Sequence, residues 1–156
     1  MKISPNFSIR EFTRSQTALR KGIDNTLGQE ELINLVYLVA SCIQPIRDAH
    51  GPVVINSGFR CLELNRAIGS SDSSAHVKAQ AADIEAPAIS NYELANWISE
   101  NLDFDQLILE FPGPDPRDGW NHISYKNDGS NRKQVLTAMR EEGKVVYKEG
   151  LISKWH

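Results

Sequence analysis

His76, Asp83 and His122 are the residues of this chain best suited to shared chemistry. The first two lie in Ser74-Ala75-His76-Val77-Lys78-Ala79-Gln80-Ala81-Ala82-Asp83, and the third in Trp120-Asn121-His122-Ile123-Ser124. Two imidazoles and one carboxylate, with a fourth position open to water, form a catalytic zinc set. A structural zinc site instead fills all four positions with protein ligands, often thiolates. Each residue alone has a plainer reading, as an ordinary loop or strand side chain. Their company changes that. Asp83 is the one charged residue between Ala79 and Ile84, and a carboxylate inside so apolar a strand needs a partner. His122 sits mid-strand, where an unpartnered imidazole gains little. One shared cation answers all three, so the expected class is a metallohydrolase.

Such an enzyme needs a base that takes a proton from the attacking water and returns it to the leaving amine. Glu110 is the first choice. It ends an apolar strand that a hairpin would bring beside His122; the plain alternative is a solvated strand-end carboxylate. Asp118 competes for the role, but it lies in a turn, where aspartate is common for local reasons. Arg60 directly follows Ser57-Gly58-Phe59. Its guanidinium suits a forked contact with a carboxylate such as a peptide C-terminus, with a structural ion pair as the alternative. Ser74 is expected to hold the ligand loop or touch substrate. His50, at a helix end, reads as a surface polar group favoured by the helix dipole. His156, the last residue, is expected to be unordered.

These residues need elements to position them. Ser8 and Glu11 have capping-box spacing, which starts a short helix over 8–14. Leu32, Leu35, Val36, Val39, Cys42, Ile43 and Ile46 recur at helical steps across 28–49. Pro45 predicts a kink or early end there. A strand over 53–55 leads to a helix over 61–68. A strand over 80–85 carries Asp83, and Ser90 caps a helix over 90–101. The stretches 104–111 and 122–125 form an antiparallel hairpin around the turn-rich Pro112–Gly119. Further strands are expected near 134–139 and 145–147. The sum is an α+β domain with a mainly antiparallel sheet and helices packed on one side.

The chain has 156 residues and a net charge of −3, so one domain, 1–156, is expected. The acidic balance gives no reason to expect a nucleic-acid surface. No stretch approaches the roughly 18 apolar residues of a membrane span. The N-terminus lacks the apolar centre of a signal peptide, so synthesis in the cytoplasm is expected. Cys42 and Cys61 match no metal or redox spacing, and Cys42 reads as a buried reduced thiol.

Ser57-Gly58-Phe59-Arg60, Asn65, Ser74-x-His76 with Asp83 following, and Trp120-x-His122 together resemble the zinc D-alanyl-D-alanine peptidases of the Hedgehog/DD-peptidase fold. Residues 7–13 and the helix ending Pro45-Ile46-Arg47 resemble its short phage and prophage members, which include endolysins. The resemblance implies that His76, Asp83 and His122 bind Zn2+ and that Arg60 and Ser74 hold a peptidoglycan stem peptide. It implies action on the cell wall after release, as a carboxypeptidase or an endopeptidase, with a monomer as the default state. Two departures stand out. Ala79 replaces a usual glycine, and Gly119 replaces an acid that many members carry three positions before the last histidine. The base must then come from elsewhere; in relatives ending Trp-x-His it is an acid at the end of the preceding strand, which matches Glu110. The alternative reading is a non-catalytic zinc-binding module or a virion structural protein on the same fold.

Overall fold

Side-chain alternation along strands divides one sheet of this protein into a packed face and a working face. The computed structural model describes residues 1–153; His156 lies outside them. The six-stranded sheet runs β3 (Val54–Ser57), β4 (Ala81–Glu85), β6 (Trp120–Ser124), β5 (Gln106–Glu110), β7 (Gln134–Glu141) and β8 (Lys144–Glu149). β5 and β7 pair in parallel, and every other neighbouring pair in this sheet is antiparallel. The expected α+β class and the 104–111/122–125 hairpin are both present.

Ala82, Ile84, Leu107, Leu109 and Ile123 point to one face and are fully buried. They pack with Leu35, Leu38, Val39, Ile43 and Ile46 of the long N-terminal helix, and with Leu94 and Ile98 of another helix. Each such aliphatic side chain contributes about 1.5–3 kcal/mol relative to exposure. Asp83, His122, Ile108 and Glu110 alternate with these residues and so lie on the opposite face. A one-residue register slip would drive the carboxylates into the core. The apolar face thus fixes where the polar face puts its chemistry.

In the N-terminal part, β1 (Lys2–Ser4) and β2 (Phe7–Ser8) form a small separate sheet, and α1 (Ile9–Thr13) and α2 (Gln16–Lys21) follow. The Ser8 N–H donates to the Glu11 carboxylate at 3.0 Å, as the capping-box spacing predicts. The strands and α2 were not legible in this polar stretch. Of the two outcomes expected at Pro45, the early end does not occur: α3 (Gln29–Leu38) continues through a local irregularity, a π turn at Val39–Ile43, into α4 (Gln44–His50). The Gln44 N–H donates to the Val39 carbonyl. This wider turn just before Pro45 makes room for a ring that would strike the carbonyl four residues back in a regular helix.

After β3 come α5 (Leu62–Ala67) and, beyond β4, α6 (Asn91–Asn101). Ser90 caps α6 by accepting the Glu93 N–H at 3.1 Å. His50 also departs from expectation. It packs edge-on against Trp97, with ring centroids 4.6 Å apart, instead of projecting as a free surface group. No helix of the described residues is long and apolar enough to cross a membrane.

Cys42 lies fully buried on the π turn. Burial, with the nearby Asp103 charge, pushes its thiol up to about 12. Titration of the native protein with a thiol reagent should therefore modify Cys61 alone, and Cys42 only after denaturation. Rapid modification of both in the native state would contradict this packing.

Candidate metal centre and active site

Asp83 on β4 pairs directly with His122 on β6, and His122 pairs with Ile108 on β5. Directly opposed side chains of antiparallel strands share a face at short range. Accordingly, Asp83 Oδ1 lies 3.0 Å from His122 Nδ1. His76 arrives from elsewhere, on a short 3-10 turn at Ala75–Lys78. Ser74 caps this turn, its hydroxyl accepting the His76 backbone N–H at 3.3 Å. Ala79 closes it with φ 56°. The left-handed conformation, which ordinarily favours glycine, is adopted here by an alanine whose methyl is buried in the core.

The His76 ring is fixed by its own hydrogen bond. Nδ1 lies 2.7 Å from the Gly58 carbonyl oxygen, which can only accept, so Nδ1 carries the proton. Nε2 then turns a lone pair toward Asp83 Oδ1, 3.4 Å away. This approach depends on Gly58 lacking a side chain. A Cβ there would meet the Phe12 carbonyl oxygen at 2.5 Å and its Cα at 2.7 Å.

One ligand atom from each of His76, Asp83 and His122 lies within 4.8 Å of the other two. Ligands around a tetrahedral zinc sit about 3.3 Å apart, given bonds of about 2.0–2.1 Å. The separations of 3.0 and 3.4 Å fit that set. The donors fit as well: a free Nε2 lone pair on His76 and a carboxylate held between two imidazoles. Burial alone would raise the Asp83 carboxyl, but the two imidazole rings beside it, His122 and His76, outweigh this and hold the group well below the usual carboxylate range.

Glu110 stands two residues beyond Ile108, on the same face, as the last residue of β5 opposite Trp120. Burial raises its carboxyl above the ordinary glutamate value, and the Asp83 charge adds to this. His122, Trp120 and Arg60 oppose the shift. The Trp120 indole N–H lies near enough to favour the charged form, yet it is buried without an acceptor at hydrogen-bond distance.

Asp118 is not brought to this group. It is exposed in the loop, and its carboxylate accepts the Asp115 backbone N–H at 3.1 Å. Gly119 proves to be a backbone requirement. Its φ is +77°, and a Cβ would run into the backbone carbonyl of Glu110 and lie 2.7 Å from that of Phe111. No acid can stand there without opening the hairpin end that carries Glu110.

Arg60 is half-buried and held by three acceptors. Its Nε donates to Asn65 Oδ1 at 3.1 Å, Nη1 to Ser57 Oγ at 3.3 Å and Nη2 to Ser74 Oγ at 3.4 Å. A guanidinium has five N–H donors, so two remain for another partner. Burial lowers its pKa, countered by Asp83 and Glu110. Ser74 therefore supports both the His76 turn and Arg60. Sequence reasoning missed Ser57 as an anchor of Arg60, and also Lys126 and Tyr147. The last two line the same cavity of about 530 Å³ as Arg60, His76, Glu110 and His122. Tyr147 carried no sequence signal because it is an exposed aromatic on an ordinary strand.

The Peptidase M15 family model matches residues 5–124, which hold every site residue expected from the sequence and most of the chain. No curated protein matches it. The chain belongs to the peptidase M15 family, as the resemblance in its motifs implied.

Placing an acid at position 119 should harm the protein. Gly119→Asp is expected to lower stability by about 2 kcal/mol or more, from left-handed strain plus the backbone clash. The melting temperature would fall by roughly 4–8 °C. A melting temperature equal to that of the parent would overturn the backbone explanation.

Proposed function

We propose that this member of the peptidase M15 family is a zinc-dependent peptidase that hydrolyses peptidoglycan stem peptides at or near D-alanine. The observation that carries the proposal is the meeting of His76, Asp83 and His122 within one cavity that Glu110 and Arg60 also line. His76 through Nε2, Asp83 through Oδ1 and His122 through Nδ1 would hold the ion. When bound, zinc supplies Lewis acidity, which polarises a carbonyl and makes a water easier to deprotonate. Carbonyl-bearing wall peptides fit the motifs, and the two remaining N–H groups of Arg60 suit a peptide carboxylate.

The chain's own residues supply the rest. Glu110 in its charged form takes a proton from the attacking water as the new carbon–oxygen bond forms. It gives that proton to the amine nitrogen as the carbon–nitrogen bond breaks. A carboxylate whose pKa is raised above its ordinary value is a stronger base and takes the proton more readily, and the leaving amine nitrogen, more basic still, can accept it in turn. Arg60 holds the substrate, and Ser57, Asn65 and Ser74 hold Arg60. Gly119 lends no support to a non-catalytic module, since backbone geometry alone accounts for it.

Glu110→Gln should lower kcat for D-alanine release from a pentapeptide stem by about 10²–10⁴-fold, with zinc content by elemental analysis unchanged. Asp118→Asn should leave the rate unaltered. A chelator should abolish release, and added zinc should restore it. Zinc-loaded protein that cuts no wall peptide would sink the reading.

The pH profile offers a separate check. The base must be charged, so kcat/KM should fall as pH drops through the raised Glu110 pKa. That acidic limb should lie above the ordinary glutamate value of 4.5. A limb at or below 4.5 would argue against Glu110 as the base.

A further inference from the structure

The hairpin end that carries Glu110 also holds an unused hydrogen-bond donor. Trp120 stands directly opposite Glu110 across β5 and β6. It precedes His122 by two residues, so its indole lies on the working face with the metal group. It lines the same cavity as Glu110, His76 and His122. The indole Nε1 is shut off from solvent and meets no acceptor. The Glu110 carboxylate, for its part, reaches no donor at hydrogen-bond distance and makes no ion pair among the described residues.

The other carboxylates of this cavity are already taken. Asp83 lies between the imidazoles of His76 and His122, and Asp105 is gripped by Arg132 at 2.9 and 3.0 Å. Among the described residues lining the cavity, Glu110 is thus the acid left to receive the indole N–H. A buried donor left unpaired costs more than a hydrogen bond usually gains, so this pair has reason to close. The ring is the fixed partner. It packs on Phe111, with centroids 5.6 Å apart, and its backbone is paired in β6. The Glu110 side chain is long and rotatable, and with neither oxygen held it would spread over several rotamers. Trp120 also favours the charged carboxylate, the form that accepts.

We propose that Trp120 is a positioning residue of this site: its indole N–H holds one oxygen of the Glu110 carboxylate and leaves the other turned to the water that Glu110 deprotonates. The inference rests on the peptidase reading and deepens it. Trp120 acts through the base, so its loss lowers the rate of proton transfer and leaves substrate affinity unchanged. A merely structural tryptophan would disturb both.

Two measurements test this. The first follows D-alanine release from a pentapeptide stem by the zinc-loaded protein. Trp120→Phe should lower kcat about 10–100-fold, the worth of one hydrogen bond to a charged group, with KM unchanged. In a Glu110→Gln background the same substitution should cost less than about twofold, since the base it serves is gone. The second measurement needs no turnover. In the isotope-labelled, zinc-loaded protein, the Trp120 indole proton signal, assigned through bonds, should move upfield in Glu110→Gln, while that of Trp97 stays in place. If circular dichroism shows that Trp120→Phe does not fold, the indole signal decides alone. An unmoved signal overturns the proposal, as does a Trp120→Phe protein with the parent's kcat, a rise in KM alone, or an equal loss in both backgrounds. Cleavage by the parent with an unmoved signal leaves the peptidase reading standing and removes the positioning role. A signal that moves in a protein that cuts no wall peptide keeps the hold of Trp120 on Glu110 and removes the hydrolytic reading.

Discussion

A carboxylate held between two imidazoles governs this structure. Moving an ionised group out of water costs several kcal/mol unless partners replace the lost hydration. Asp83 is largely buried, and its partners come from two separate places: His122 across the β4–β6 ladder and His76 from a 3-10 turn. Neither neighbour can be moved without leaving the charge exposed to an apolar surround. The register of β4 against β6 is thus fixed twice, by the core on one face and by this cluster on the other.

The same economy of position appears at the end of the β5–β6 hairpin. Glu110 and Trp120 are its last pair, and the chain turns away through Phe111 at φ 54° and returns through Gly119 at φ 77°. A left-handed phenylalanine is uncommon and persists only where its surroundings over-determine it. Here they do. Phe111 packs against Trp120 with ring centroids 5.6 Å apart, and the Arg140 guanidinium lies 4.8 Å from its ring centre. Its N–H donates to the Ala138 carbonyl at 2.9 Å. These contacts tie down the backbone directly after Glu110. Like Asp83 and His122, Glu110 is therefore presented by a strand of the sheet rather than by a loop.

Behind the working face, the long N-terminal helix supplies rigidity despite a proline in its middle. The π turn leaves Val39, Cys42 and Ile43 fully buried, so the apolar stripe stays on the sheet on both sides of Pro45. A break at that point would have tilted α4 away and opened the core beneath β4. Asn121 ties the sheet to α6 by donating to the Asn91 carbonyl at 2.9 Å. Asn91 in turn donates to the Gly119 carbonyl at 3.1 Å. The hairpin that carries Glu110 is thereby anchored to the helical layer.

By itself, the sequence determined what could be read from residue type and local period. The apolar steps over 28–49, the alternation around Asp83 and the turn-rich Pro112–Gly119 are each legible within a few residues, and the trio at 76, 83 and 122 is legible from residue type. Their periods follow directly from helix and strand geometry. Tertiary structure alone decided which nitrogen of His76 faces Asp83, because the carbonyl that settles it belongs to Gly58, a residue distant in the chain that itself packs closely on Phe12. It decided that Gly119 is forced by the Glu110 backbone, that Arg60 is held by Ser57, Asn65 and Ser74, and that Pro45 is absorbed in a helix. Each of these depends on atoms distant along the chain coming within a few ångströms, and steric exclusion between such atoms leaves no periodic trace in the letters.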